Sequence, residues 1–459
     1  MAVSALDSGV FRNLFGTQEM RDVFSDKNYV KCLVEVEAAL ARAQSKTGVI
    51  PDTVGEQLTT ALSSVTLDFE KLSRDTDIVG YPVLPLVEQL VAATPPDVAK
   101  YIHWGATTQD IMDNATMIQV RRGLQIVKRE IHALAGLLTG LAEKHRDTPM
   151  AGRTHLQHAL PCTFGYKCAV YLSAVLRHAA RLRELEPRCL LVQFGGAAGT
   201  LASLGTGTAG VRVRAALAAE LGLRDPPITW HAARDTVAEV LGFLALVGAS
   251  LGKVAYDVVV MSSSEFGEVA EPFAAPHRGA SSTMPQKRNP ISSEVVLAAA
   301  RLLRGHAALG LDAVVVDFER ASGPWHLEWV AVPEAFVLAA GALHQTNFVL
   351  AGLVVNTGAM LQNLGSSRGL IVGEAVMMAL ARHIGRQPAH DVVYEACRES
   401  IETGKLLLDV LRARPEVVGN IGDAELVALC DPRNYFGSSQ LMVDNVVKVA
   451  SMSFGGQDV

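Results

Sequence analysis

Three polar strings stand out in a chain otherwise dominated by alanine, leucine and valine. The longest is Gly279-Ala280-Ser281-Ser282-Thr283-Met284-Pro285-Gln286-Lys287-Arg288-Asn289-Pro290, which carries hydroxyls, two cations and two side-chain amides. Gly279 permits backbone angles closed to other residues, and Pro285 and Pro290 fix φ and bar a continuous helix. Polar loops on a helical scaffold are where chemistry concentrates, although a plain surface turn has a similar composition. The second string is His103-Trp104-Gly105-Ala106-Thr107-Thr108-Gln109-Asp110. Adjacent hydroxyls beside an Asp predict an N-cap for the helix that follows. An exposed helix N-terminus is equally an anion site, and a carboxylate substrate fits it. The third string is Gly152-Arg153-Thr154-His155-Leu156-Gln157-His158-Ala159-Leu160-Pro161. Taken singly, His155 reads more often as a hydrogen-bonded structural histidine than as a catalyst. An imidazole is nevertheless suited to deliver a proton to a leaving group.

Long helices must position these strings. Leu33, Val36, Ala39 and Leu40 recur at helical spacing within Asp26–Thr47, and Gly48 and Pro51 end that pattern. Shorter helical patterns cover Asp52–Leu67 and Leu84–Ala93. From Ile111 to His145 apolar residues recur every three or four positions without a proline. Such a helix is about 50 Å long, and with no internal repeat in the sequence it points to a bundle. Further helices are expected from just after Pro161 to Leu191, and over Val211–Gly222, Thr236–Glu268, Ile291–Leu309 and Val332–Leu353. Shorter ones are expected at Gly369–Ile384, Ala389–Thr403, Leu406–Ala413 and Asp423–Leu429. Gln193–Thr200 is glycine-rich but lacks the Lys-Ser/Thr of a phosphate loop, so it reads as a kink between close-packed helices. The expected fold class is all-α: a small helical N-terminal domain (1–110), a long central bundle (111–358) and a small helical C-terminal domain (359–459).

Composition narrows the function. A chain of 459 residues has room for a large core and more than one domain. A net charge of −6 argues against nucleic acid and anionic membranes as partners, while leaving room for a locally basic anion site. Met1–Val10 lacks the basic start and apolar run of a signal peptide, and the ending Gly456–Val459 matches no lipidation or peroxisomal signal. The six cysteines form no CxxC pair and no zinc-like spacing with histidine, which predicts reduced thiols in a cytoplasmic protein. The most apolar run, Val237–Met261, is interrupted by Glu239, Lys253 and Asp257, so a buried bundle helix is expected rather than a membrane span.

The long loop resembles the hallmark Gly-Ser-Ser-x-Met-Pro-x-Lys-x-Asn-Pro of the fumarase/aspartase superfamily of lyases. It matches at Ser281, Ser282, Met284, Pro285, Lys287, Asn289 and Pro290, with Ala280 in place of the usual glycine. The second and third strings resemble the superfamily's other shared regions, His-x-Gly-x-Thr-Ser-x-Asp and Gly-Arg-Thr-His-x-x-x-Ala-x-Pro. The resemblance implies β-elimination from a succinyl-type substrate, or its reverse, with Ser281 as the base on a mobile loop. A doubly charged aci-carboxylate intermediate requires cations and oriented N–H groups around it. By the same resemblance Lys287 and Asn289 neutralise the substrate carboxylate, Thr107, Thr108 and Gln157 hold the rest, and His103 lines the pocket. His155 is then the general acid or an orienting group. Ser282, Met284 and Arg320, the last from the polar island Asp317–Trp329, complete the expected substrate-binding set. The chemistry needs no metal and no organic cofactor. The family implies a homotetramer with a central helical bundle, in which each active site draws its regions from different subunits.

Within the superfamily the chain is most similar to the 3-carboxy-cis,cis-muconate cycloisomerase group. The likeness rests on Thr283 and Arg288, on Phe194–Thr200, on Trp230-His231 with Arg234-Asp235, and on Trp325-His326-Leu327-Glu328-Trp329. Adenylosuccinate lyases carry a serine and an arginine for the nucleotide phosphate where this chain has Trp325 and Trp329, which argues against a nucleotide substrate. Asp75-Thr76-Asp77 stands where an Arg-His-Asp string is frequent. Some bacterial cycloisomerases have a tryptophan at the position of His155. A retained histidine suits true elimination, so a lyase acting on an amino-, N-substituted or nitro-succinate is the alternative. A non-catalytic structural relative is the remaining possibility, and the intact set of Ser281, Lys287, Asn289, Thr107, Thr108 and His155 weighs against it.

Overall fold

A computed structural model describes residues 4–273, 277–320 and 323–454. The ending Gly456–Val459, the first three residues, and Ala321 and Ser322 of the polar island lie outside them. The chain is all-α, as expected, with two small antiparallel strand pairs among the described residues: Pro149–Thr154 with Gln157–Thr163, and Val269–Ala270 with Val354–Val355. The five longest helices after residue 100 are Thr108–Lys144, Phe164–Cys189, Asp235–Met261, Ile291–Asp312 and Pro324–Ala351. Asp235–Met261 and Pro324–Ala351 are long and apolar enough to cross a membrane, yet 61% and 67% of their most apolar stretches are buried within the chain.

Contacts group the chain into two compact units. The first comprises Met1–Glu130, Ala179–Ala249 and Ala298–His344. Its Asp26–Lys46 helix starts at Ser25, whose hydroxyl accepts from the Asn28 N–H, with Asp26 favourably placed in the first turn. The helix buries Val30, Leu33, Val36 and Leu40. The helix expected over Asp52–Leu67 is shorter, Val54–Ser63. Phe69–Val79 is an unanticipated helix, capped by the Asp68 carboxylate and stopped by Gly80 at φ +86°. It buries only Leu72.

The second unit comprises Ile131–His178, Ser250–Leu297 and Gln345–Val459. Met150, Phe164, Cys168, Val258, Met261, Val349, Met360 and Val443 form one buried cluster. Val376, Leu380, Val393, Leu407, Leu411, Val417 and Leu426 form another among the C-terminal helices. The helix expected to run to Glu268 ends at Met261. Ser262 and Ser263 turn their hydroxyls back onto the carbonyls of Val259 and Val260, and Gly267 sits at φ +56°. The side-chain oxygens there satisfy the backbone locally and compete with helix continuation. The helix expected from Val332 starts at Pro324 instead, taking Trp325–Trp329 into its first turns. A final helix, Ser439–Phe454, was not anticipated.

Candidate active site

The 279–289 loop is closed on itself. The Gly279 carbonyl accepts from both the backbone N–H of Asn289 (2.8 Å) and its side-chain Nδ2 (3.0 Å). Gly279 has φ +70°, and a Cβ there would lie 2.4 Å from the Asn289 carbonyl oxygen, so only glycine fits. Inside this ring Ser281 Oγ accepts from the N–H groups of Thr283 (3.2 Å) and Met284 (3.1 Å). Two backbone donors on one oxygen favour its anionic form. Lys287 is bound through its backbone, N–H to the Met284 carbonyl at 3.1 Å, and is exposed, as are Ser282 and Met284. No contact between the Lys287 ammonium and Ser281 Oγ is present among the described residues. Asn289 uses its side-chain N–H to close the loop.

Two charged residues that the sequence did not single out anchor the loop's stems. Arg278 donates to Ser292 Oγ (2.5 Å) and Gln345 Oε1 (3.0 Å) and lies over the Phe348 ring. Glu271 accepts from the backbone N–H groups of Ser292 and Ser293 and from Ser293 Oγ. It thereby caps the Ile291–Asp312 helix with a carboxylate brought from outside it.

His155 sits at the tip of a tight hairpin in the same unit. Thr154 pairs with Gln157, and the two residues between them, His155 and Leu156, have φ +53° and +61°. Two consecutive left-handed residues define the primed hairpin turn that normally takes Asn-Gly. A histidine and a leucine there hold strain of the kind that collects at functional sites. The tip is open: Thr154, His155 and Gln157 are exposed, and Leu156 is 62% exposed. The base of the hairpin is rigid. Arg153 makes a two-pronged ion pair with buried Glu268 (2.6 and 3.0 Å) and lies over the Phe266 ring, while Asn363 bonds Glu268 and the Phe266 carbonyl.

In the first unit the Thr107 turn is built around Asp110. Its carboxylate accepts from the N–H groups of Thr107 (3.0 Å), Gly195 (2.8 Å) and Gly196 (2.9 Å), and His231 Nε2 lies 2.7 Å away. The bond to Thr107 has the form of the reach-back half of a capping box, while the Thr107 hydroxyl itself accepts from Arg320 rather than from a helix N–H. The glycine-rich string is therefore no helix kink. It is a non-helical loop whose N–H groups face a carboxylate, and a Cβ on Gly195 would lie 2.8 Å from the His231 ring. Thr107 Oγ1 accepts from Arg320 (3.1 Å), which also donates to the Ala197 carbonyl (2.8 Å), so these two expected site residues do meet. His103 stands nearby in sequence at φ +60° with Nδ1 2.7 Å from buried Glu37. Burial disfavours its imidazolium, but Glu37, with Asp110 behind it, outweighs that and raises its pKa above the ordinary value. Glu37 lies outside the three polar strings, and Trp230-His231 is marked in the sequence only by the family resemblance. A carboxylate buried in an apolar helix face was the available signal for Glu37.

Known proteins share this arrangement of sequence. The lyase family model matches residues 15–305, and the model of the adenylosuccinate lyase C-terminus matches 369–446. Trans-aconitate decarboxylase 1 of Mycosarcoma maydis is 45% identical, with 96% of this chain and 89% of that protein covered. The 3-carboxy-cis,cis-muconate cycloisomerase of Pseudomonas aeruginosa is 44% identical, with 95% of each chain covered. A nitrosuccinate lyase of Streptomyces davaonensis is 38% identical over 97% of this chain and 95% of its own. Among solved structures, a fumarate lyase from a Mesorhizobium species superposes with a TM-score of 0.89 at 54% identity, covering 96% of this chain and 99% of that one.

Proposed function

The chain belongs to the fumarase/aspartase superfamily and is an enzyme of its lyase and cycloisomerase class, and from that premise we propose that it acts as a 3-carboxy-cis,cis-muconate cycloisomerase. Ser281 exchanges a proton with the carbon next to a substrate carboxylate. In the lactone-forming direction a carboxylate oxygen adds to the conjugated double bond and Ser281 returns the proton to carbon. In the reverse direction Ser281 removes that proton as the C–O bond breaks. The observation that carries this reading is the Ser281 oxygen held by two backbone N–H groups inside the closed loop, which stabilise its alkoxide form. Lys287 and Asn289 meet the charge that develops on the substrate carboxylate. Thr107, Thr108, Arg320 and Gln157 hold the remaining carboxylates, His103 lines the pocket, and Ser282 and Met284 cover the substrate when the loop closes and water is excluded. The test is loss of the ultraviolet absorbance of 3-carboxy-cis,cis-muconate with formation of a lactone. Ser281→Ala should abolish both; undiminished activity in that variant refutes the assignment of the base.

A second reading is supported by His155 and by the similarity to a nitrosuccinate lyase. Elimination from an amino-, N-substituted or nitro-succinate releases fumarate, and a poor leaving group needs the proton that an imidazole supplies. Fumarate release with no turnover of the muconate would select this reading. An adenylosuccinate substrate fits less well, because the indoles of Trp325 and Trp329 offer no ligand to a phosphate.

The working assembly is a homotetramer whose core is the long-helix region 111–358, with sites shared between subunits. Exposed Leu156 at the His155 tip and exposed Leu246, Tyr256 and Leu311 on long helices support it. Light scattering that returns a monomer would remove this part. All six thiols are free, which fits the cytoplasm as its compartment.

A further inference from the structure

A cavity of about 340 Å3 lies in the first unit, with Phe24, Tyr29, Met112, Trp325, Glu328 and Trp329 on its walls. Trp325 and Trp329 meet edge to face, centroids 5.2 Å apart and planes at 78°, so the two indoles form perpendicular walls. Tyr81 backs this corner, stacked on Trp325 and edge-on to Trp329, both at 5.8 Å. Phe24 adds a third ring and is itself braced against Phe336 at 5.1 Å. Aromatic faces at this spacing attract cations.

The charged side chains lining the cavity are acidic. Asp26 is exposed and Glu328 is buried. Glu328 shares the single guanidinium of Arg234 with Asp113, and burial pushes its pKa above the ordinary carboxylate value. Tyr29 also lines the cavity, and its hydroxyl has no hydrogen-bond partner among the described residues. Burial and the nearby Asp113 carboxylate push its pKa up, so the phenol stays a neutral donor and acceptor at neutral pH. Tyr29 is half-buried, and its hydroxyl can pair with a ligand in the cavity.

We propose that this cavity binds the ammonium group of a small organic amine. The two charged side chains on its walls are carboxylates, which disfavour an anion, and a purely apolar group would leave the Tyr29 hydroxyl unpaired. Thr108, Met112, Thr116 and Gln119 follow one face of the Thr108–Lys144 helix. The cavity thus begins about 5 Å, one helical turn, from the Thr108 position. An amino-substituted carboxylate spans both places. That extension rests on the carboxylate-holding role proposed for Thr107 and Thr108, whereas the ammonium site stands on its own walls.

Three ligands of nearly one shape separate charge from fit: tert-butylammonium, tert-butanol and pivalate. Each has a single tert-butyl proton resonance, which ring currents shift when it enters an aromatic corner. In titrations of the full chain at pH 7, tert-butylammonium should give a saturable shift. The alcohol should bind at least about tenfold more weakly and pivalate not at all. Trp329→Ala and Asp26→Asn should each weaken the ammonium by at least about fivefold with the helical circular dichroism unchanged, and Trp329→Phe should retain it. The proposal is overturned by no saturable shift, by equal binding of the three ligands, or by an ammonium affinity that neither substitution alters. Ser281→Ala should bind the ammonium like the parent protein, so a failed reaction and a failed site give different results.

Discussion

Asp110 Oδ1 lies 2.7 Å from His231 Nε2, with both side chains buried. Three backbone N–H groups complete the shell of the same carboxylate, so its lone pairs are fully used inside the protein. The Thr107 turn therefore takes its shape from a group that need not touch substrate. Asp110→Asn would put an amide N–H against donors that need an acceptor. The expected loss of stability is about 2–4 kcal/mol, read from urea unfolding. Substrate KM should rise at least about tenfold while kcat changes less. An unchanged KM in a destabilised variant would confine Asp110 to a structural role.

Gly279 offers a cleaner separation of fold from chemistry. A methyl group at this position collides with the Asn289 carbonyl and stands on a backbone at φ +70°. Because the loop around it is largely exposed, the strain of about 1–3 kcal/mol should be relieved by opening the loop rather than by unfolding the chain. Gly279→Ala should therefore lower kcat by about a hundredfold, the scale of losing an oxyanion donor, with little change in the thermal midpoint. An active Gly279→Ala enzyme would show that the closed ring is not needed to hold Ser281.

His103 and Glu37 make a pH-dependent contribution with a definite sign. Burial lowers the His103 pKa, but the Glu37 carboxylate raises it by more, leaving it above its ordinary value of 6.5. A folded-state pKa above the unfolded one means the imidazolium form favours the fold. That stability is fully present below about pH 6.5 and is lost as pH rises through the folded value. Glu37→Gln leaves burial without its compensation, so the His103 pKa should drop. Proton NMR titration of the His103 ring measures this directly. The stability difference between parent and variant should shrink as pH rises, and a difference that grows instead would reverse the assigned sign.

The long helices were legible because their apolar period runs unbroken over many turns: the Ile111–His145 pattern became Thr108–Lys144. The chemistry-bearing strings were legible because hydroxyls, cations and histidine interrupt that period. The hairpin was not, since His155-Leu156 is a dipeptide that turns normally avoid. Its stability comes from Arg153 and Glu268, residues far apart in sequence whose pairing only the fold reveals. The same holds for Gly195 and Gly196. Without knowledge that Asp110 lies against them, a glycine string reads as a kink, whereas its N–H groups are hydrogen-bond donors to a carboxylate. Phe69–Val79 does carry an apolar face, Phe69, Leu72 and Val79 at helical spacing, although only Leu72 on it is buried.

A substitution at His155 separates the two proposed reactions. The His155 ring has no hydrogen-bond partner among the described residues, and its backbone is held left-handed at an exposed tip, so neither fold nor core depends on the imidazole. His155→Trp should accordingly leave the thermal midpoint of the protein nearly unchanged. Cycloisomerisation moves a C–O bond to the substrate's own carboxylate, a leaving group that is stable without a proton. Elimination of an amine or of another basic group leaves an anion that must be protonated as it departs, which is general-acid work contributing about 10²–10⁴-fold. If the muconate reaction is the true one, His155→Trp keeps most of its kcat and its pH profile. If a substituted succinate is the substrate, kcat for fumarate release falls by about that factor, and the limb of the pH profile that reports the acid disappears with it. Retention of fumarate release in His155→Trp would remove the imidazole from the proton-donor role and leave the leaving group to another acid.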